Sequence, residues 1–414
     1  MRIEKAGDRL TGALVPLTAS FLIQMTASLT ISAPLAISVL IARAEHLSEA
    51  TIGFYTTIVY IGALSGTLFT PHLLTILSVR TVQIAGLGAL ALGMLLFGRL
   101  DASLPGIIAA ASGILLMGLV YGALVPASAQ ILSNKFPDRL QPLVVSIKQT
   151  GVPVGTAIGA VAAPLLVHGD DWSGLPLWLA LGCGLIMVLT APGLAGFARV
   201  TQPAVSRRFR LADLVLGFRF PALRRLMMVS LIYGVNQAAL TTFLVLALVW
   251  EHALSVAQAA GYLALATLAG AVARIALGIS ASRFGHIYAH LGLMGVVSGV
   301  AWLLLLLPEP GAVRLGFGAV LLGATAMGWN GLLLAQLAVE APPGQGTVAV
   351  AAGVSLAYLG VVIGPLLFSV LLLVTGSKVA AIGALDAAAV VMGGWLLWSA
   401  TRDAGLGLRA GPRG

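Results

Sequence analysis

Charge is what this sequence has least of: 9% of its residues are Asp, Glu, Lys or Arg. A surface that poor in charge cannot keep a soluble chain of this length in water, so a soluble globular fold is excluded. Cysteine occurs once, as Cys183, inside an apolar run. One thiol rules out an intramolecular disulfide and leaves a metal cluster without thiolate ligands. A phosphate loop of the form G-x-x-x-x-G-K-[ST] is absent from the sequence, which argues against driving by ATP. The histidines, His46, His72, His168, His252, His286 and His290, fall near loops or segment ends without metal-ligand spacing or a paired nucleophile. No enzyme constellation, cofactor motif or metal site is therefore expected. The net charge of +9 does not point to nucleic acid, because the basic residues are scattered or gathered in one loop with no aromatic interleaving.

What the chain has is apolar length: 59% hydrophobic residues and a mean hydropathy of +1.02 over 414 residues. A bilayer core takes about 20 helical residues per crossing, so the chain can cross about a dozen times with short loops. Charged or Pro/Gly-rich clusters divide it into twelve apolar segments, the first at about 11 to 42, the last at about 379 to 400. Arg2, Lys5 and Arg9 before the first segment resemble the start of a signal peptide, but the apolar stretch is too long and reads as an uncleaved helix. The 50 glycines and 19 prolines lie largely inside these runs, where small residues allow helices to approach closely.

Parity assigns each loop to a side before its charges are counted. Of the 23 lysines and arginines, seventeen fall on the side of the N-terminus, and Arg43, Arg99, Arg314 and Lys378 on the other; Lys148 and Arg274 lie within segments. That asymmetry places both termini in the cytoplasm, and a bacterial inner (plasma) membrane is expected. The connection from Arg199 to Arg225 is the long basic exception among short loops, and anchors recur across it. Gly53 and Gly62 match Gly261 and Gly270, Gly122 and Gln130 match Gly328 and Gln336, and Gly151 and Gly155 match Gly360 and Gly364. Such self-similarity divides the chain into a six-helix bundle over 1–198, a basic linker over 199–222, and a second bundle with a short tail over 223–414.

Twelve segments in two related halves, a basic central loop and cytoplasmic termini resemble the major facilitator superfamily over the whole chain. Locally, Arg274-x-x-x-Gly278-x-x-x-Ser282-Arg283-Phe284-Gly285 resembles that family's loop signature G-x-x-x-D-R-x-G, with Ser282 in the acidic position. The corresponding loop from Gly66 to Arg80 keeps neither the Asp nor the Gly of the signature, and SIKQTGVPVGTAIGA in the fifth segment is similar to a stretch common in bacterial members. The resemblance implies an all-α membrane protein with twelve transmembrane helices in two pseudo-symmetric six-helix bundles. It also implies a solute cavity lined mainly by segments 1, 4, 7 and 10.

Ionisable groups at membrane depth are costly and therefore functional candidates. Lys148 starts a stripe with Gly151, Gly155 and Gly159 in the fifth segment. It is read either as a substrate contact or as a lysine snorkelling to the interface. Arg274 resembles in position the arginine with which oxalate/formate antiporters and monocarboxylate porters contact a substrate carboxylate, and a guanidinium fork suits that group. Bracing between helices is the alternative. Asp386, in the twelfth segment, is read first as structural and second as a proton carrier. Neutral polar candidates on the expected segments are Gln24 and Ser28; Tyr121 and Gln130; Tyr233, Asn236 and Gln237; and Trp329, Asn330 and Gln336, with Gln149 beside Lys148.

The expectation is a gradient-driven secondary transporter, likewise a monomer in the bilayer, for a small organic anion such as a monocarboxylate, by proton symport or anion exchange. Efflux of amphipathic or cationic drugs is the rival, though it usually employs an intramembrane carboxylate in the first half, where none occurs. A non-transporting receptor or scaffold on the same fold is the third reading.

Overall fold

The computed structural model describes residues 2–48, 51–136, 144, 147–169, 171–198, 218, 220–309, 311–342 and 345–405. Its helices are α1 (Arg2–Ala36), α2 (Ser38–Ala44), α3 (Thr51–Ile76), α4 (Val79–Phe97), α5 (Leu104–Lys135), α6 (Gly151–Leu165) and α7 (Gly174–Thr190). There follow α8 (Pro221–Ala238), α9 (Leu244–His252), α10 (Val256–Phe284), α11 (Ile287–Leu306), α12 (Ala312–Glu340), α13 (Gly346–Thr375) and α14 (Lys378–Gly405). Ten spans, one of them running through α8 and α9, are long and apolar enough to cross a membrane, and α7 is a shorter apolar helix. With α6, they account for the twelve expected segments.

Among the described residues, the first, sixth and seventh segments each depart from a single continuous helix. The first breaks at Ile37, three residues after Pro34. A proline has no N–H to donate and its ring crowds the carbonyl four residues back, so Pro34 removes a backbone hydrogen bond from the last turns of α1. The sixth stops being α-helical at Thr190, and Pro192 opens a 3₁₀ stretch, Pro192–Phe197, for the same reason. The seventh joins α8 to α9 through a π-helical turn, Ala239–Phe243. Proline is not present there, and Phe243 stacks on Phe368 of α13 at 3.9 Å between ring centroids.

The chain forms two compact units, Met1–Phe209 with Ser255–Ala264, and Arg210–Leu254 with Leu265–Gly414. Within the first, α1 packs on α6, α3 and α4 on α5, and α4 on α7; within the second, α8 packs on α13, and α11 on α12 and α14. Three of these four packings thus recur between corresponding helices. Small residues make them possible: a Cβ at Gly155 would strike the Met25 carbonyl of α1, and one at Gly360 the Leu231 carbonyl of α8. The equivalent approaches of α5 on α3 and α12 on α10 are made by Gly118 against Val59 and Gly323 against Ala266. Gly328 meets side chains of Leu277, Met294 and Ala273 rather than backbone, so its match to Gly122 in sequence is not a match in packing.

Two turns repeat as well. The carboxylates of Asp101 and Asp171 accept from the backbone N–H of Ser103 and Ser173 at 2.7 and 2.9 Å, just before α5 and α7. Hydrogen bonds from each serine's side chain and backbone hold both carboxyls below their ordinary range. The signature loop after α10 turns through Gly285 and His286 with φ of 67° and 57°, and only glycine enters that region without strain.

Candidate functional site

In the first unit the site begins as a polar stripe on an apolar helix. Ser20, Gln24, Ser28 and Ser32 recur every four residues along α1, so they share one face. That face meets α6, whose glycines at 151, 155 and 159 bring its backbone onto Phe21, Met25 and Leu29. Ser28 Oγ donates to the Val152 carbonyl at 2.9 Å and lies 3.0 Å from Thr156 Oγ1, while Ser32 Oγ donates to the Ser28 carbonyl at 2.8 Å.

One turn before Gly151, Lys148 Nζ donates to Gln24 Oε1 at 2.8 Å. Lys148 is 3% exposed and Gln24 is 1% exposed. The ammonium does not reach out to the interface, so snorkelling does not describe it. Gln24 Nε2 and Ser20 Oγ are buried and make no hydrogen bond. An ammonium offers three donors and an amide nitrogen two, so donor capacity at this spot exceeds the acceptors found among the described residues. Ser20 was not among the expected residues, although the four-residue spacing to Gln24 carried the signal. Gln149 is half-buried beside Lys148. Tyr121 is buried, its ring 6.4 Å from that of Tyr60 and edge-on to it. The side chain of Gln130 lies outside the described part.

In the second unit, Gln237 of α8 and Asn330 of α12 are brought together, Asn330 Nδ2 donating to Gln237 Oε1 at 3.1 Å. Arg274 is half-buried in α10 and donates from Nη2 to the Met327 carbonyl of α12 at 2.9 Å, its stem beside Gly331. Asn236 is 3% exposed, and its Oδ1 is buried without a hydrogen bond. Tyr233 is turned into the bundle: its hydroxyl donates to the Leu291 carbonyl at 2.5 Å and its ring meets Trp329 edge-on at 5.9 Å. Trp329 is itself a core residue, 1% exposed, with Nε1 on the Ala326 carbonyl. Gln336 donates to Glu340 at 2.6 Å, and the Tyr288 hydroxyl holds the same carboxylate from α11. Asp386 accepts from Ser298 Oγ at 2.7 Å where α11 and α14 pack. Among the described residues no group of His, Cys, Asp and Glu could hold a metal ion.

The residues brought together in the two units are mainly buried hydrogen-bond donors and amides. The sequence pattern of the Major Facilitator Superfamily matches residues 18–365. An uncharacterized MFS-type transporter of Mycobacterium tuberculosis strain CDC 1551 is 30% identical over 161 residues, and the same is true of its counterpart in strain H37Rv. The match takes in 39% of this chain and 35% of that relative, so it spans about a third of the relative's length. The fold is similar to that of the nucleoside transporter NupG, with a TM-score of 0.71 and 12% identity, covering 94% of this chain and 99% of that one. A bacterial homolog of the human lysosomal transporter Spinster gives 0.68 and 13%, covering 94% of both chains. The human organic anion transporter MFSD10 gives 0.66 and 18%, covering 93% of this chain and 99% of the other. With its family pattern spanning most of the chain and its twelve apolar segments, this multi-pass membrane protein belongs to the Major Facilitator Superfamily.

Proposed function

We propose that this transporter carries a small organic anion, a monocarboxylate being the simplest case, by alternating access driven by a gradient through proton symport or anion exchange. The observation that carries the reading is the buried pairing of Lys148 with the neutral amide of Gln24. Every acidic residue of the first half lies outside the apolar segments. Removing a charge from water is costly unless an opposite charge and hydrogen bonds compensate it. An amide oxygen supplies a hydrogen bond and no charge; an anionic substrate supplies both. The donors of Gln24 and Ser20 on the same helix face suit the oxygens of a carboxylate.

Arg274, whose Nη2 donates to the Met327 carbonyl, is assigned an anion contact in the second unit, since a guanidinium fork suits a carboxylate. Gln237, Asn330, Asn236, Tyr121, Tyr233 and Gln149 are assigned supporting roles on the helices expected to line the solute path. Two bundles, 1–198 and 223–414, joined by the basic linker 199–222, with both termini cytoplasmic in a bacterial inner membrane, complete the proposal. A similar fold in an organic anion transporter is compatible with it.

The test is a thermal-stability screen of the purified protein against organic acids, followed by flux in vesicles. A ligand that binds only the folded state raises the apparent stability, by about 2.7 kcal/mol at a hundredfold excess over Kd. Stabilisation by organic cations together with indifference to carboxylates would overturn the anion assignment, and binding without flux would make the chain a receptor.

A further inference from the structure

In the first unit, at the far end of α1 from Gln24, a cavity of about 330 Å³ lies between α1, α2 and the starts of α3 and α5. Pro34 stands on its wall, about 15 Å beyond Gln24 along the helix axis, so the cavity is separate from the Lys148 site. Leu35, Ile52, Ala110 and Ile114 are buried around it, and Phe54 and Ile107, 49% and 44% exposed, stand where it opens.

Among the described residues the wall holds no charged side chain, and its polar side chains are Ser38, Thr51 and Tyr55. Two of these are already engaged: Thr51 Oγ1 donates to the Ser48 carbonyl at 2.6 Å, and the Tyr55 hydroxyl to the Ile31 carbonyl at 2.8 Å. Ser38 is 6% exposed, and its Oγ is buried without a hydrogen bond. Ser32, Ser65 and Ser355 each donate to the carbonyl four residues back, the usual recourse of a helical serine. Ser38 does not; it opens α2, one residue past the break at Ile37.

What suits such a space follows from solvation. Water needs about two to four polar partners to stay buried, and an apolar cavity of about 150 Å³ already stays dry and takes up an apolar guest. This cavity is larger, and its wall offers a single unbonded hydroxyl. A carboxylate or ammonium inside it would lose its water with no opposite charge on the wall to compensate. A purely apolar guest would leave the Ser38 hydroxyl buried and unbonded, which is also costly.

We infer that the cavity binds an uncharged, membrane-dissolved amphiphile, an apolar chain carrying one acceptor oxygen, as in a long-chain alcohol, ester or ketone. The oxygen accepts a hydrogen bond from Ser38, and the chain lies against Leu35, Ile58 and Ala111. The site is built within the first unit and does not depend on the anion assignment.

The experiment uses the full-length protein in phosphatidylcholine vesicles, with dodecanol bearing a photoreactive diazirine at its chain end as probe. Bound probe is counted by intact mass and located by peptide mapping after illumination. The parent should take up one probe saturably, on residues of the cavity wall. Dodecanol should displace it, and dodecane and dodecanesulfonate should displace it less well. Ala111→Phe, which fills the cavity, should abolish saturable labelling. Ser38→Ala should weaken dodecanol about two- to tenfold, the usual worth of one neutral hydrogen bond, and leave dodecane unchanged. Ser38→Ala adds no bulk, so it keeps the test open should Ala111→Phe not fold, and the ranking of competitors on the parent needs no variant. Labelling that does not saturate, or that persists in folded Ala111→Phe, would overturn the site. Dodecanol binding by Ser38→Ala equal to the parent's, or equal displacement by dodecane, would overturn the acceptor oxygen on Ser38. Equal displacement by dodecanesulfonate would overturn the uncharged ligand.

Discussion

At the scale of single residues, Lys148 and Arg274 differ in what already holds them, a side-chain amide in one case and a backbone carbonyl in the other. If Lys148 meets an anion, Lys148→Gln should forfeit a charge-assisted hydrogen bond of about 1.5 to 3 kcal/mol, or roughly ten- to a hundredfold in affinity. Binding by the folded variant at the parent's affinity would end that assignment. Arg274 is already engaged with the Met327 carbonyl, so its variants separate two roles. A substrate contact requires Arg274→Lys to restore binding only in part, because a point ammonium cannot reproduce a fork. A brace predicts instead that Arg274→Gln lowers the thermal midpoint and leaves the affinity of surviving protein unchanged. Both cations and Gln24 were legible in the sequence, since an ionisable or amide side chain in an apolar run announces itself. Their partnership was not, because it depends on the register of α1 against α6, which composition does not encode. Tyr233 shows the converse: its spacing with Asn236 and Gln237 suggested one polar face, yet its hydroxyl is spent on Leu291 inside the bundle.

At the scale of helices, the glycines that bring α6 onto α1 and α13 onto α8 are the positions where backbone touches backbone. Gly155→Leu should lower the thermal midpoint and the folded yield, because a side chain there must drive α6 away from Met25, and overpacking costs about 1 to 3 kcal/mol. Gly182→Leu on α7, where a Cβ meets nothing, is the matched control, and an equal loss in both would refute the close-packing account. The two Asp–Ser turns predict an acid response. Because hydrogen bonds depress both carboxyls, the stability they confer is present above the ordinary aspartate value of 3.8 and disappears as the pH falls through the lower folded value. A melting profile over that acid window should be flatter for Asp101→Asn with Asp171→Asn than for the parent; identical profiles would remove the turns from the account. That α6 packs closely on something was readable from its glycine stripe, whereas the choice of α1 required the fold.

At the scale of the whole molecule, hydropathy and charge made the twelve crossings and the family legible, because a bilayer imposes its thickness on every segment. Single cysteines at Ser173 and Ser206, in a Cys183→Ser background, test the proposed orientation: an impermeant thiol reagent on intact cells should label the first and spare the second. Labelling of both would break the topology. Cys183 is buried and 3.3 Å from Thr30 Oγ1, so a serine there can keep the hydrogen bond. What the sequence did not disclose was the π-helical turn between α8 and α9, since no proline or glycine marks Ala239–Phe243. A π turn holds more residues than an α turn, so the seventh crossing carries surplus length at its middle. Excising one residue from Ala239–Phe243 would close the π turn to an α turn and leave the helix on either side nearly in its present phase, because five residues of the one and four of the other each advance the chain by a little over one full turn. What would change is local, the bulge that sets Phe243 against the ring of Phe368. An alignment gap within those five residues would therefore record a bulge closed in place rather than a rotated helix.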